Sequence, residues 1–241
     1  MEDLGCRWLR AWNKQTIFQS LAVARLHYSL GPELWECMLG PTMNYTCGYW
    51  KPDTKTLEEA QINKMDLVAR KLKLKPGSKV LDLGCGWGSA AQYMAKHYKV
   101  SVVAYSICKE QIEYARKRCE GLDVTFICDD YRNATGKFDA IYSIGLYEHI
   151  GHTNGPAYFQ VLDRCLTAEG VALIQTTVSA DNEIRACLWV STLASTVEEH
   201  VSLMKLLIIS FVYNILLSIY HCCRRTSIFF RVANSHIPTR C

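Results

Sequence analysis

The amino-acid sequence predicts an α/β fold with a mostly parallel sheet. Short apolar runs rich in β-branched residues alternate with segments of helical period, and a glycine-rich loop follows the first run. Continuous apolar runs indicate strands that are buried on both faces, and such strands form parallel sheets covered by helices. Ligands of these sheets bind at the carboxyl ends of the strands, so the residues after each strand are the first candidates for a site.

Composition and charge limit the classes of protein that the sequence can encode. With 241 residues, 49% apolar and 21% charged, the chain can build a sizeable core, which excludes collagen, coiled coil and general disorder. A net charge of +4 would help docking on an anionic membrane but is too small to indicate a nucleic-acid partner. The twelve cysteines form no CxxC pairs and no secretory leader is evident, so we expect reduced intracellular thiols and no metal site.

Residues 1–75 are predicted to form an N-terminal helical lid and a substrate-side segment. Within residues 4–40, large apolar side chains interleave with basic ones, as in a basic amphipathic helix. Such a helix either forms a lid or membrane-surface element, or packs on its own domain while its basic side chains reach solvent. The apolar members are Trp8, Leu9, Trp12, Phe18, Leu21 and Trp35, and the basic members are Arg7, Arg10, Lys14 and Arg25.

A helix is predicted from Thr56 to about Leu72. Thr56 is followed three residues later by Glu59, which is the pattern of a capping box, and Pro76-Gly77 ends the segment. The positions expected to face the core recur at helical spacing and are Ile62, Met65, Ala69 and Leu72.

Residues 76–180 are predicted to form the α/β core. The expected strands lie at residues 80–83, 100–105, 124–128, 140–144 and 171–178. Between them, three apolar stripes at helical spacing predict three helices, the second with an ion pair between Glu113 and Lys117. The stripes are Ala91, Met94, Ala95 and Tyr98; Ile112, Ala115 and Cys119; and Tyr158, Leu162, Cys165 and Leu166.

The loop after the first strand reads Asp82-Leu83-Gly84-Cys85-Gly86-Trp87-Gly88. Its glycines allow a tight turn and a close approach of the backbone to a nucleotide-like ligand. The spacing differs from the GxGxxG of dinucleotide enzymes, and the second strand is followed by Ser106 and Gln111 where those enzymes carry an acidic residue.

Several motifs in the same order resemble the cyclopropane fatty acid and mycolic acid cyclopropane synthases. The resemblance runs from His27 to Thr177 and implies a Rossmann-like class I methyltransferase that lacks the last strands of its sheet. The motifs are residues 39–50 (LGPTMNYTCGYW), residues 56–61 (TLEEAQ), the glycine loop, residues 106–111 (SICKEQ), residues 130–132 (DYR) and residues 143–151 (SIGLYEHIG).

The resemblance implies S-adenosylmethionine as cofactor and a phospholipid as substrate. In the family, the cofactor's methyl group adds to a cis double bond of an acyl chain, and a proton is then removed so that a ring closes. A bicarbonate ion takes that proton, and Cys47 and Glu148 match two of the residues that hold it. The residues that match the family's cofactor site are Tyr45, Thr46, Asp82, Gly84, Gly86, Gly88, Ser106, Gln111, Asp130 and Tyr131.

The chain departs from the family pattern on the fifth strand. Gln175 stands where the family has a histidine that helps to hold bicarbonate, and Thr177 replaces a nearby isoleucine. Glutamine can bond to an anion but cannot move a proton. We therefore expect Cys47, Glu148 and Gln175 to form the catalytic group. A third departure is Ser29, where the family has an aspartate.

Residues 181–241 fit neither the family nor the fold and form a divergent tail. Residues 206–223 carry no formal charge apart from a titratable histidine and are followed by Arg224 and Arg225. This stretch is either a short membrane span, a buried or interfacial helix, or part of an alternative or misread end of a longer gene.

The expected function is therefore a cytoplasmic methyltransferase of lipid biosynthesis that works at a phospholipid or membrane surface, with membrane association through residues 206–223. Two alternatives stay open. The chain could methylate small amines, as plant-type N-methyltransferases of the same family do, or it could be a non-catalytic protein that binds a membrane or a partner.

Overall fold

The computed structural model describes residues 13, 15–23, 31–177 and 227–233. The chain divides into two compact units, residues 1–176 with 229–241 and residues 177–228, and the features below belong to the first. Several predicted features lie outside the described residues: the apolar segment 206–223, Ser29, and the tryptophans and basic positions of residues 4–12, 14 and 25.

The sheet is built as predicted from five parallel strands. Their order is β3-β2-β1-β4-β5, and the helices cover both faces. A further strand, β6, lies next to β5, so the sheet continues by one strand past the fifth in the described part of the chain. The strands are β1 (Lys79–Leu83), β2 (Ser101–Ser106), β3 (Val124–Cys128), β4 (Phe138–Ile144), β5 (Leu166–Thr177) and β6 (Ser227–Ala233).

The order of the strands creates a crevice between β1 and β4. From β1 the chain runs outward to β2 and β3, and it then returns to the other side of β1 to form β4. The connections therefore leave β1 and β4 in opposite directions, and the carboxyl ends of these two strands flank an opening. Ligands of open α/β sheets bind at this kind of switch point.

Six helices accompany the described strands. The third shows the predicted capping box: Thr56 Oγ1 accepts the Glu59 N–H at 3.2 Å, and Glu59 Oε2 accepts the Thr56 N–H at 3.4 Å. The helices are α1 (Ile17–Val23), α2 (Pro32–Leu39), α3 (Leu57–Lys71), α4 (Ser89–Tyr98), α5 (Lys109–Arg118) and α6 (Gly155–Cys165).

Two apolar clusters fill the faces of the sheet. One joins α3, α4 and α5 to the sheet and includes Met94 and Ile112, whereas the other joins α6 to the sheet and includes Leu162. Apart from Tyr98, which is half-buried, every residue of the three predicted stripes is buried. Leu166, which was predicted to belong to the third helix, instead begins β5, because α6 ends one residue earlier. The helical period therefore identified the core face of these three helices correctly.

Two predictions of detail are wrong. Ile62 does not face the core, because 40% of it is exposed. Glu113 forms its ion pair with Lys109, at 3.7 Å, and not with the predicted Lys117. Both partners are four residues from Glu113, so sequence spacing alone could not choose between them.

The N-terminal region contributes both a packed helix and an exposed one. Trp35 of α2 is 2% exposed and packs against Trp87 of the glycine loop and against Tyr45, at ring-centroid distances of 6.2 and 5.0 Å. Helix α1, in contrast, leaves Phe18 88% exposed. In the part of the chain that the structure describes, no helix combines the length and hydropathy needed to cross a bilayer, and the seven cysteines form no disulfide.

Candidate active site

The glycine loop after β1 is fastened to β2 and leaves one face open. The N–H groups of Gly84 and Cys85 both donate to the Tyr105 carbonyl oxygen, at 3.0 and 2.9 Å. Gly88 has a φ of 78°, and a Cβ there would lie 2.7 Å from the Ala115 Cβ, so α5 packs directly on the loop. A Cβ on Gly86, in contrast, would meet nothing within 4 Å. Gly88 therefore serves packing, whereas Gly86 borders space that a ligand could fill.

Asp82 lies at the same strand end with its carboxylate out of solvent. Only 2% of the residue is exposed, and its Oδ2 accepts a hydrogen bond from the Tyr142 hydroxyl at 2.8 Å. Burial raises the pKa of Asp82 to about 7, although the bond from Tyr142 acts in the opposite direction. A buried carboxyl with such a pKa at a strand end is typical of a functional site.

The end of β2 brings together the two residues predicted to replace the missing acid. Ser106 Oγ donates to Gln111 Oε1 at 3.2 Å, and Ser106 Oγ itself accepts the Cys108 N–H at 3.2 Å. Gln111 is 5% exposed in the first turn of α5. Because its oxygen faces Ser106, its Nε2 group is the end able to donate to a ligand.

At the end of β3, Asp130 and Tyr131 differ in their surroundings. Asp130 accepts from the Arg132 Nε and Nη2 atoms, both at 2.7 Å, and from the Ser20 hydroxyl at 3.4 Å. Burial alone would raise the pKa of Asp130, but the bonds from Arg132 hold it below the ordinary value. Tyr131 is buried, which raises its pKa to about 12, and its hydroxyl bonds to none of the described residues. Asp130 thus holds Arg132, and Tyr131 keeps an unused polar group.

Near the ends of β4 and β5, two of the three predicted catalytic residues bond to each other and the third bonds to the residue next to Gln175. Gln175 Nε2 donates to Cys47 Sγ at 3.7 Å, and Thr176 Oγ1 donates to Glu148 Oε2 at 2.8 Å. The Gly145 N–H donates to the Gln175 carbonyl oxygen at 3.0 Å, which ties the loop after β4 to β5. The segment 45–48, the turn at Tyr147–His149 and β5 therefore form one cluster.

Gln175 provides this cluster with an unsatisfied acceptor. The residue is 2% exposed, and its Oε1 bonds to none of the described residues. Buried polar groups are normally hydrogen-bonded, so this oxygen indicates a missing donor. Thr177 is exposed at the end of β5.

Sequence reasoning missed four residues that support this site: Gln61, Lys64, Tyr142 and Thr176. Gln61 and Lys64 are 2% and 1% exposed and both bond to Thr46. Two polar residues three apart on the core side of an amphipathic helix are the pattern that could have identified them. Tyr142 and Thr176 lie within strands and carry no comparable pattern.

Comparison with known proteins identifies the family. Residues 15–196 match the family model of mycolic acid cyclopropane synthetase, which is most of the chain. The chain belongs to this family. The cyclopropane-fatty-acyl-phospholipid synthase of Escherichia coli strain K12 is 46% identical over 182 residues, covering 76% of this chain and 47% of that protein.

Mycobacterial relatives agree with this assignment. Cyclopropane mycolic acid synthase 3 of Mycobacterium tuberculosis is 36% identical over 156 residues, covering 63% of this chain and 54% of that protein. The crystal structure of mycolic acid cyclopropane synthase CmaA1 complexed with SAH and CTAB has a TM-score of 0.66 and 31% identity, covering 74% of this chain and 67% of that one. The chain thus spans about half the length of the curated relatives it matches, and its fold is the Rossmann-like methyltransferase fold of the cyclopropane synthase family.

Proposed function

We propose that this chain binds S-adenosylmethionine and transfers its methyl group to a cis double bond in a phospholipid acyl chain, as in cyclopropane-fatty-acyl-phospholipid synthesis. The observation that carries the proposal is the cluster of Cys47, Glu148 and Gln175 beside the open face of the glycine loop. Similarity to the E. coli synthase supports the lipid substrate.

The residues at the switch point fit the cofactor. The backbone at Gly86 is open to a ligand, because a Cβ there would meet no atom within 4 Å. The buried Trp87 Nε1 and Tyr131 hydroxyl are polar atoms without hydrogen-bond partners among the described residues. Tyr45, Thr46, Asp82, Gly84, Gly88, Ser106, Gln111 and Asp130 would complete the surroundings. When bound, the cofactor supplies an electrophilic methyl group on a sulfonium.

The chain's own residues provide the conditions that an alkene needs as a nucleophile. An alkene is weakly nucleophilic, so the site has to orient it closely and exclude water from a developing cation. Tyr147, Tyr158 and Phe159 pack against one another with ring centroids 5.2 to 6.1 Å apart. These rings begin two residues after Gly145, and their faces suit a positive charge.

Proton removal falls to the cluster around Gln175. Its Oε1 is a buried acceptor and its Nε2 a donor, which matches a bicarbonate ion because that ion has one O–H donor and several acceptor oxygens. Gln175 would hold such an anion without exchanging a proton with it, whereas Glu148 is a carboxylate able to accept one. We therefore propose bicarbonate as a second ligand, held by Cys47, Glu148 and Gln175.

A phospholipid surface is the proposed source of the substrate. Helix α1 leaves Ile17, Phe18 and Leu21 exposed by 45%, 88% and 37%. Ile17 and Phe18 are adjacent in the helix, and Leu21 follows Phe18 by three residues. Large apolar side chains exposed in this way are of the type that inserts into the interface of a bilayer.

Thermal melting of the full chain with and without S-adenosylmethionine tests the cofactor site. A ligand that binds only the folded state stabilises it by RT ln(1 + [L]/Kd), which is about 2.7 kcal/mol at one hundred times Kd. We expect a clear rise in the melting temperature that Gly86→Asp abolishes. A Cβ at Gly86 meets no atom within 4 Å, and aspartate tolerates a φ of 51° better than most residues do, so this variant should still fold, with a somewhat lower melting temperature without ligand.

Incubation with labelled cofactor and phospholipid vesicles tests the substrate. Transfer of label to unsaturated but not to saturated acyl chains would support the proposal. Transfer to small amines would instead favour an N-methyltransferase, and a chain that neither melts cooperatively nor binds cofactor would favour the non-catalytic alternative. Bicarbonate removal and Glu148→Gln should each slow proton removal, so that the labelled acyl chain closes to a ring more slowly.

A further inference from the structure

Helix α3 directs two buried polar side chains at a single residue of the candidate site. The Lys64 Nζ donates to the Thr46 hydroxyl at 2.6 Å, and Gln61 Nε2 donates to the Thr46 carbonyl oxygen at 2.6 Å. Lysine is rarely buried fully, because its ammonium group loses hydration. A lysine that is 1% exposed and bonded to a site residue therefore requires an explanation beyond packing.

The bond between Lys64 and Thr46 determines which hydrogen-bonding roles the threonine hydroxyl can take. An ammonium group has three donors and no acceptor, whereas a hydroxyl has one hydrogen and two lone pairs. Thr46 Oγ1 must therefore accept from Lys64, so its own hydrogen is available to another acceptor. Because Gln61 occupies the Thr46 carbonyl, the backbone of this residue is held as well.

Thr46 lies where β1 and β4 end. Its Cγ2 would be 2.6 Å from a Cβ on Gly145, so the threonine packs against the first residue after β4. A Cβ on Gly84, after β1, would lie 3.2 Å from the Leu146 Cβ. The threonine therefore reaches the switch point at which the proposed cofactor would bind. The neighbouring carboxylate of Glu148 already accepts from Thr176, at 2.8 Å.

We propose that Lys64 is a positioning residue that makes the Thr46 hydroxyl donate to the carboxylate of the cofactor's methionine portion. The inference rests on the proposed function, because it requires S-adenosylmethionine or its product at this site. Lys64 acts through Thr46, and its effect is confined to ligands that carry the amino-acid portion.

Two nucleosides that differ in that portion provide the test. S-adenosylhomocysteine carries the carboxylate, whereas methylthioadenosine lacks the whole amino-acid end. Titration calorimetry on the full chain should show that Lys64→Met weakens binding of S-adenosylhomocysteine roughly ten-fold to a hundred-fold, the range for a hydrogen bond to a charged group. Binding of methylthioadenosine should change less than about two-fold. Lys96→Met, which removes an exposed lysine from α4, is the matched control and should change neither affinity.

Variants of Thr46 test the inference even if Lys64→Met does not fold. Thr46→Ser keeps the hydroxyl and should retain affinity for S-adenosylhomocysteine, whereas Thr46→Val should lose it while methylthioadenosine still binds. Where both single variants fold, Lys64→Met should have little further effect in the Thr46→Val background, because the two residues act on one contact.

An equal loss of affinity for both nucleosides in Lys64→Met would overturn the inference and assign the lysine a structural role. Unchanged affinity for both would overturn it as well and show that the lysine has no part in binding. Equal affinity of Thr46→Ser and Thr46→Val would overturn it as well. Failure of the cofactor-binding part of the proposed function gives a different result, since the unaltered chain would then bind neither nucleoside, and failure of the lipid part alone would leave binding of both unchanged.

Discussion

Asp82 makes the stability of this protein depend on pH at the level of a single residue. Its pKa is about 7 in the folded chain, whereas an unfolded aspartate has a pKa of about 4. The folded state therefore favours the protonated form. Stability from this group is fully present below about pH 4 and is lost progressively as the pH rises to about 7.

We expect Asp82→Asn to remove the part of the pH dependence of stability that comes from this carboxyl group. Melting temperatures measured between pH 4 and 8 should fall less steeply with rising pH in the variant than in the original chain. Asp123→Asn, at an exposed position, is the control and should leave the slope unchanged. A slope in Asp82→Asn equal to that of the original chain would contradict the assignment.

The glycines at residues 86 and 88 should respond differently to the same substitution. Gly88→Ala places a Cβ 2.7 Å from the Ala115 Cβ at a φ of 78°, so we expect a loss of about 1–3 kcal/mol in the free energy of unfolding. Gly86→Ala meets open space and should lose less. Denaturant unfolding of both variants measures the difference, and equal losses would show that the loop can move away from α5.

For single residues, the sequence predicted the positions of the site residues in the fold better than it predicted their side-chain partners. Gln175 bonds to Cys47, and Glu148 bonds to the residue next to Gln175. Glu148 follows β4 and Gln175 lies near the end of β5, whereas Cys47 comes from the loop before α3. The pairing of Asp130 with Arg132 could not be predicted. The two residues lie in one short turn, and no pattern in the sequence indicates that side chains two residues apart in such a turn will bond to each other.

Helix α3 shows how a single element is specified and how its core face can be misjudged. Its start was predictable because a capping box is local, but Ile62 is 40% exposed, whereas Gln61 and Lys64 are buried. The helix turns these two polar residues inward because both bond to Thr46. The spacing of apolar residues along a helix cannot identify a buried face whose polar side chains bond to one specific residue.

Removing the cap of α3 should destabilise the chain measurably. Thr56→Ala removes the acceptor of the Glu59 N–H, and we expect the free energy of unfolding to fall by about 1 kcal/mol. Glu59→Ala removes the acceptor of the Lys55 and Thr56 N–H groups and should also destabilise.

Glu58→Ala is the matched control for these two variants. Glu58 is also an exposed acid in the first turn of α3, but only its neighbour takes part in the capping box. In chemical denaturation, Glu58→Ala should have a higher free energy of unfolding than Thr56→Ala and Glu59→Ala. Three equal losses would indicate that the charge of the first turn matters and not the cap.

At the scale of the whole molecule, polar contacts join the N-terminal segment to the rim of the site. The Gln15 carbonyl oxygen accepts from Arg132 Nη1 and Asn154 Nδ2, both at 3.0 Å, and Ser20 bonds to Asp130. The same segment leads into α1, whose Phe18 is 88% exposed. One side of this region is thus attached to the strand ends while the other faces solvent.

Asn154→Ala should loosen this attachment. The variant loses one bond to Gln15 and two to Asn13. We therefore expect chymotrypsin to cleave after Phe18 at least about five-fold faster, which is the factor for a single hydrogen bond of about 1 kcal/mol. Asn133→Ala, whose side chain bonds only to Asp129 among the described residues, serves as control. Cleavage at the same rate in both variants would show that Asn154 does not hold the segment.

The strand order also determines the sequence in which the sheet can assemble during synthesis. Strands β1, β2 and β3 are neighbours in the chain and in space, so this half can pair as soon as residue 128 has left the ribosome. Strand β4 pairs with β1 although many residues separate the two in the chain, as Val80 opposite Ala140 shows. Until β4 has been made, the edge of β1 that it will join stays unpaired. Pairings between distant residues form slowly, and open edges attract other chains. The residues that flank the switch point therefore come together only after β1, β2 and β3 have been made, and a nascent chain that stops short of β4 presents the β1 edge to chaperones and to other nascent chains.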